Sequence, residues 1–134
     1  MVTRGVSDIQ VARDFYEALG WRASSASLGD IVFFTAGGVV LALYPRDSLA
    51  NDASVASTGQ GFRCFSLAYN VRQKKDVASA LSIAEAAGGR ILQPAQDVFW
   101  GGHSGYFSDP DENLWEVAWN PFFKLSLSGM LEIP

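Results

Sequence analysis

The chain runs through one order of elements and then starts again, and this repeat constrains its fold more than any other feature. A short strand ending at Val6 leads through Ser7-Asp8, a good helix cap, into a helix from about Ile9 to Leu19. Ile9, Ala12, Phe15, Tyr16 and Leu19 fall at helical spacing and form its apolar stripe. Gly20 ends it, and Trp21–Ser27, Ile31–Ala36 and Val39–Tyr44 read as three strands, the last two joined by a tight turn at Gly37-Gly38. The order then recurs. Phe62–Val71 is strand-like, Asp76–Ala87 is an amphipathic helix stopped by Gly88-Gly89, and Arg90–Leu92, Gly105–Ser108 and Leu114–Trp119 supply three more strands. A period of roughly 65 residues predicts an α+β fold built from duplicated βαβββ modules, neither of which closes a core alone. The modules span about 1–45 and 62–121, with a polar loop at 46–61 and an apolar tail at 122–134.

Composition narrows the function. An apolar share of 49% and a charged share of 18% describe a compact domain, far from the disordered class. The net charge of −4, with basic residues scattered along the chain, leaves no nucleic-acid footprint. No apolar run is long enough to span a bilayer, and the opening residues MVTRGVSD lack the apolar core of a signal peptide, so a cytoplasmic location is expected. Cys64 is the single cysteine, which fits a reducing compartment; flanked by Arg63 and Phe65, it is expected to be a packing residue. The glycine pairs have no phosphate-loop spacing, and Ser66 has no nucleophile-elbow pattern.

The segment Gly101–Pro121, GGHSGYFSDPDENLWEVAWNP, carries the chemistry. Asp109–Asn113 reads as a tight turn between strands, and on the second strand Leu114, Glu116 and Ala118 share one face while Trp115, Val117 and Trp119 share the other. A carboxylate between Leu114 and Ala118 is costly to bury unless it has a partner, so Glu116 reads as a general base, a ligand contact or a hydrogen-bonded structural acid. His103, the single histidine, is an acid or base candidate near neutral pH, or a surface loop residue. Arg4 on the first strand is a candidate anchor for an anionic ligand.

The stretches Val6-Ser7-Asp8, Phe15–Trp21, Ala86–Gly89 and Gly105–Pro110 leading to Asn113–Glu116 together resemble the vicinal oxygen chelate superfamily, which includes glyoxalase I, bleomycin-resistance proteins and extradiol dioxygenases. The resemblance reaches to Pro121. It implies an open, cup-shaped mixed sheet with helices outside, a homodimer, and a ligand held in the cup. Metal-using members carry a ligand near the start of the first strand and another on the last strand of each module. Glu116 matches one of these positions. Met1 and Ser66 stand at two others, and the strand containing Leu41, Ala42 and Leu43 offers no donor for the fourth. No metal cofactor is therefore expected, since a divalent ion wants three or more protein donors. By the same resemblance Phe99 and Trp100, before Gly101-Gly102, line or cover the cavity or pack in a dimer contact; Ser66 and Tyr106 join them as ligand-binding candidates. The family commonly has glycine where this chain has Glu112, so a left-handed residue is expected to cost about 1 kcal/mol there.

Two functions follow from different classes. One is a metal-independent protein that binds a small, partly aromatic molecule. The other is a lyase, isomerase or dioxygenase using Glu116, with a metal held by further donors such as His103. The apolar tail is expected to pack on the outer face or across a dimer contact.

Overall fold

The computed structural model describes residues 1–133 as two compact units, the first running from Met1 to Cys64 and the second beginning at Phe65. No helix is long and apolar enough to cross a membrane.

In the first unit β1 (Val2–Val6) leads to α1 (Ile9–Ala18), then β2 (Val32–Ala36) and β3 (Val39–Pro45). Asp8 caps α1 as its position predicts, its carboxylate accepting from the backbone N–H groups of Gln10 at 2.8 Å and Val11 at 3.0 Å. Gly20, at φ +92°, ends the helix while Trp21 donates back to the Tyr16 carbonyl. The strands order as β1-β3-β2, with β1 parallel and β2 antiparallel to β3. Tyr16 meets Phe34 with ring centroids 5.7 Å apart, which fixes the α1 face of the sheet as the one bearing Phe34, Leu41 and Leu43, all fully or almost fully buried. Each such side chain contributes roughly 1.5–3 kcal/mol on burial.

The second unit repeats the plan with β4 (Leu67–Asn70), α3 (Asp76–Ala86), β5 (Arg90–Asp97), β6 (His103–Ser108) and β7 (Leu114–Trp119), ordered β4-β7-β6-β5. The parallel first strand and antiparallel third strand again flank the last. Val77, Leu81 and Ala84 form the buried stripe of α3. It packs on the sheet face that bears Gly105, Val117 and the stacked rings of Phe107 and Trp115, whose planes lie within 6° of parallel. Gly88, at φ +104°, plays the part of Gly20, with Gly89 donating to Ala84.

Four expectations need correction. Trp21–Ser27 is no strand; a single bridge, Ala23 to Phe34, marks where it would pair. The loop after β3 begins with a short helix, α2 (Arg46–Asp52), and the Arg46 guanidinium holds the rest of that loop through the carbonyls of Ser57 and Gly59. The strand expected from Phe62 starts only at Leu67, because Cys64 takes a left-handed backbone at φ 60° and is exposed, so it is not a packing residue. By contrast β5 runs well beyond Leu92, through Pro94, which an edge strand tolerates. The tail forms a small hairpin of β8 (Lys124–Leu125) and β9 (Leu131–Glu132), and Arg72 grips it through the carbonyls of Leu125 at 2.9 Å and Ser126 at 2.6 Å.

Candidate functional site

The site grows out of strand register in the second unit. Glu116 lies in the inner strand β7, opposite Ala68 of β4 and Tyr106 of β6, and Gln93 of β5 continues the row beyond Tyr106. Because Trp115 and Val117 face α3, alternation turns Glu116 and Tyr106 to the opposite face, together with Leu114 and Ala118. Both Glu116 and Tyr106 are half-buried. Tyr106 stands beside Glu116 across the ladder, and its phenol is held above its ordinary pKa by burial first, then by the charge and hydrogen-bonding influence of that carboxylate. Tyr106 thus keeps its proton through the neutral range.

The turn before β7 fixes where Glu116 stands. The Asp109 carboxylate, buried, accepts from the backbone N–H of Asp111 at 3.0 Å and of Asn113 at 2.8 Å, and from the Asn113 side chain at 3.0 Å. Glu112 does adopt the left-handed conformation, at φ 60°, so the strain expected from losing a glycine is present. Gly105 serves register too. A Cβ there would lie 2.6 Å from the Leu81 Cδ1 and 2.8 Å from the Gln93 carbonyl oxygen, so only glycine lets α3 and the twice-shifted β5 approach β6 this closely.

His103 and Arg4 separate from this pair. His103 begins β6, three residues before Tyr106, and so points to the α3 face. There its Nδ1 is 2.7 Å from the Asp97 carboxylate, which also pairs with Lys74; these two partners draw the Asp97 carboxyl below its ordinary range, with Lys74 the larger influence. His103 therefore cannot share a ligand or metal ion with Glu116 through the sheet. Arg4 is buried, in register with Leu43 and thus with Val32, and this row belongs to the α1 face of the first sheet, whose other face carries Thr3, Ala42 and Phe33. It stands among core side chains and not as an open anchor. Ser66 lies exposed just before β4. Phe99 is 101% exposed at the tip of the β5–β6 loop, while the Trp100 ring folds over Gly102, leaving no room for a Cβ there. The Phe122 ring of the tail reaches the same loop at Gly101.

Among the described residues no group of three or more His, Cys, Asp or Glu side chains is placed to hold a metal ion. Glu116 has an alanine and a tyrosine as its cross-strand neighbours, so the ladder places fewer than three metal donors beside it. Register parity was the signal the sequence reading missed for His103. Once β6 is seen to start there, its face is opposite to that of Tyr106.

A strand–helix–strands plan repeated in two units, each with a parallel first strand and an antiparallel strand flanking its last strand, defines a class of fold, and comparison with known proteins agrees. The profile of the Glyoxalase/Bleomycin resistance protein/Dioxygenase superfamily matches residues 1–117. A glyoxalase-related enzyme from Fulvimarina pelagi is 34% identical, with a TM-score of 0.88 over 98% of this chain and 94% of its own. The chain belongs to the glyoxalase/bleomycin resistance protein/dioxygenase superfamily. Two further structures share the fold. A family enzyme from Burkholderia phytofirmans PsJN is 19% identical, with a TM-score of 0.80 over 88% of this chain and 94% of that one. Lactoylglutathione lyase from Agrobacterium tumefaciens is 21% identical, with a TM-score of 0.68 over 89% and 90%. No curated protein sequence matches the chain.

Proposed function

We propose that this chain binds a small, partly aromatic molecule on the face of its second sheet that carries Glu116 and Tyr106, through side chains and without a resident metal ion. The observation that carries the reading is the pair itself: a half-buried carboxylate whose cross-strand neighbour is a phenol that stays protonated. Leu114, Ala118 and Ala68 flank it with small or apolar surface, and a few polar groups set in an apolar lining are what small-molecule sites offer. Phe99 and Trp100 supply aromatic surface in the same unit. Tryptophan fluorescence of the whole chain, titrated with a panel of aromatic compounds in the presence of a chelator, tests this. Saturable quenching that the chelator leaves unchanged is expected; a response abolished by the chelator and restored by a divalent metal would overturn it.

A second reading makes the same pair catalytic, with Glu116 taking a proton from a bound substrate while Tyr106 donates to the oxygen that gains charge, as in an isomerase or lyase. The cross-strand placement of Tyr106 beside Glu116 favours it. Turnover of an enolisable substrate, lost in Glu116→Gln while binding persists, would establish it. A homodimer is part of the proposal, supported by the exposed Phe122, Leu127 and Met130 of the tail; light scattering of the purified chain checks it. A cytoplasmic location is also proposed, in keeping with the exposed free thiol of Cys64.

A further inference from the structure

Glu116 is a carboxyl side chain with acceptor capacity to spare. It stands in an inner strand whose backbone groups are committed to β4 on one side and β6 on the other, so the ladder offers its carboxylate no main-chain donor. Across the ladder, Ala68 has no donor to give and Tyr106 gives one hydroxyl. Among the described residues Glu116 enters no ion pair, whereas Asp97, on the other side of the same sheet, holds both Lys74 and His103. A carboxylate accepts through four lone-pair sites, and one withdrawn halfway from water is stabilised most by a charge-assisted donor.

We propose that the ligand of this face is a protonated amine on a flat apolar body, its ammonium group held between the Glu116 carboxylate and the Tyr106 oxygen. The inference rests on the binding reading above and names its ligand class. An ammonium fits where a divalent metal does not, because its N–H groups are satisfied by one carboxylate and one phenol oxygen instead of three or more donors. Tyr106 serves in two ways. Its oxygen accepts from the amine while its hydroxyl proton is free to turn to the carboxylate beside it, and its ring offers a face to a cation. The apolar body of the ligand lies against Leu114, Ala118 and Ala68, which carry no charge to compete with it.

The test is calorimetric titration of the full chain with 1-naphthylmethylammonium and with its neutral counterpart 1-naphthalenemethanol, at one ionic strength. The ammonium is expected to bind about tenfold more tightly than the alcohol. Glu116→Gln, close to isosteric, is expected to erase that margin. Tyr106→Phe, which keeps the carboxylate and loses the phenol acceptor, is expected to weaken the ammonium severalfold and to narrow the margin without erasing it, which separates the share of Glu116 from that of Tyr106. Zinc ion at equimolar concentration is expected to leave the ammonium bound. If the alcohol binds as tightly as the ammonium, or Glu116→Gln keeps the margin, the cation inference fails while the binding reading stands. Should neither compound bind and no member of the aromatic panel quench fluorescence, both fail together.

Discussion

The two units solve the same topology with opposite chemistry at its centre. Thr3 stands three residues before Val6, as Ala68 stands three before Val71, and the register pairs Thr3 with Ala42 and Ala68 with Glu116. One strand further on, Phe33 pairs with Ala42 where Tyr106 pairs with Glu116. The row Thr3-Ala42-Phe33 in the first sheet therefore corresponds to Ala68-Glu116-Tyr106 in the second. Alanine and phenylalanine in the first row stand where glutamate and tyrosine stand in the second. Ala42 is 0% exposed, while Glu116 keeps contact with water. The first row is built for packing, and the second retains a polar pair whose burial is costly unless something is gained from it. A similar contrast runs through Gly105, whose counterpart is Val32: the first sheet has a side chain there and a single bridge at Ala23 in place of a full outer strand.

The comparison breaks most visibly if polarity is transplanted. Ala42→Glu puts a charge at the one fully buried position of its row and is expected to cost about 3–5 kcal/mol in chemical denaturation. A cost below about 0.5 kcal/mol, the range of ordinary surface changes, would show that the first row can host polarity as the second does. Gly105→Ala comes next, with an expected loss of about 1–3 kcal/mol, because its Cβ meets the Gln93 carbonyl oxygen and cannot push it aside. Unchanged stability would remove close approach as the reason for glycine there.

Glu112→Gly sharpens the account in the stabilising direction. Relief of its left-handed backbone, at φ 60°, is expected to raise stability by about 1 kcal/mol, read as a higher denaturation midpoint at constant slope. The smallest effect is a titration. Tyr106 binds its proton more tightly folded than unfolded, so the stability this confers is present below the ordinary tyrosine pKa and lost as pH rises through the higher folded value. In Glu116→Gln the charge is gone and burial remains, so ultraviolet titration is expected to find the Tyr106 pKa lowered but still above the ordinary value. An unmoved tyrosine would dissolve the pair.

The repeat was legible because its punctuation is local. Asp8 caps α1, Gly20 and Gly88 stop the helices, and the β7 alternation reads directly from Leu114 to Trp119. The strand expected at Trp21–Ser27 failed because the apolar pattern there serves a ring, Trp21 lying 5.4 Å from Tyr16, and not a ladder. The α2 helix was hidden in a polar stretch, and Cys64 in a run that composition alone marks as strand. For the site, Glu116 and its face were readable, whereas its pairing with Tyr106 required register, and the separation of His103 from it required knowing where β6 begins. Arg4 misled because alternation does not say which face a helix covers.

One measurement tests the central claim most directly. The double variant Glu116→Ala/Tyr106→Phe replaces the polar pair of the second row by the alanine and phenylalanine of its counterparts in the first, and its affinity for whichever aromatic ligand the wild-type chain binds is measured by calorimetry beside its thermal midpoint. The account predicts that binding falls below detection while the midpoint stays level or rises, since a half-buried polar pair is removed without opening the core. Full affinity in a folded double variant would contradict it, and would place the ligand elsewhere on the molecule.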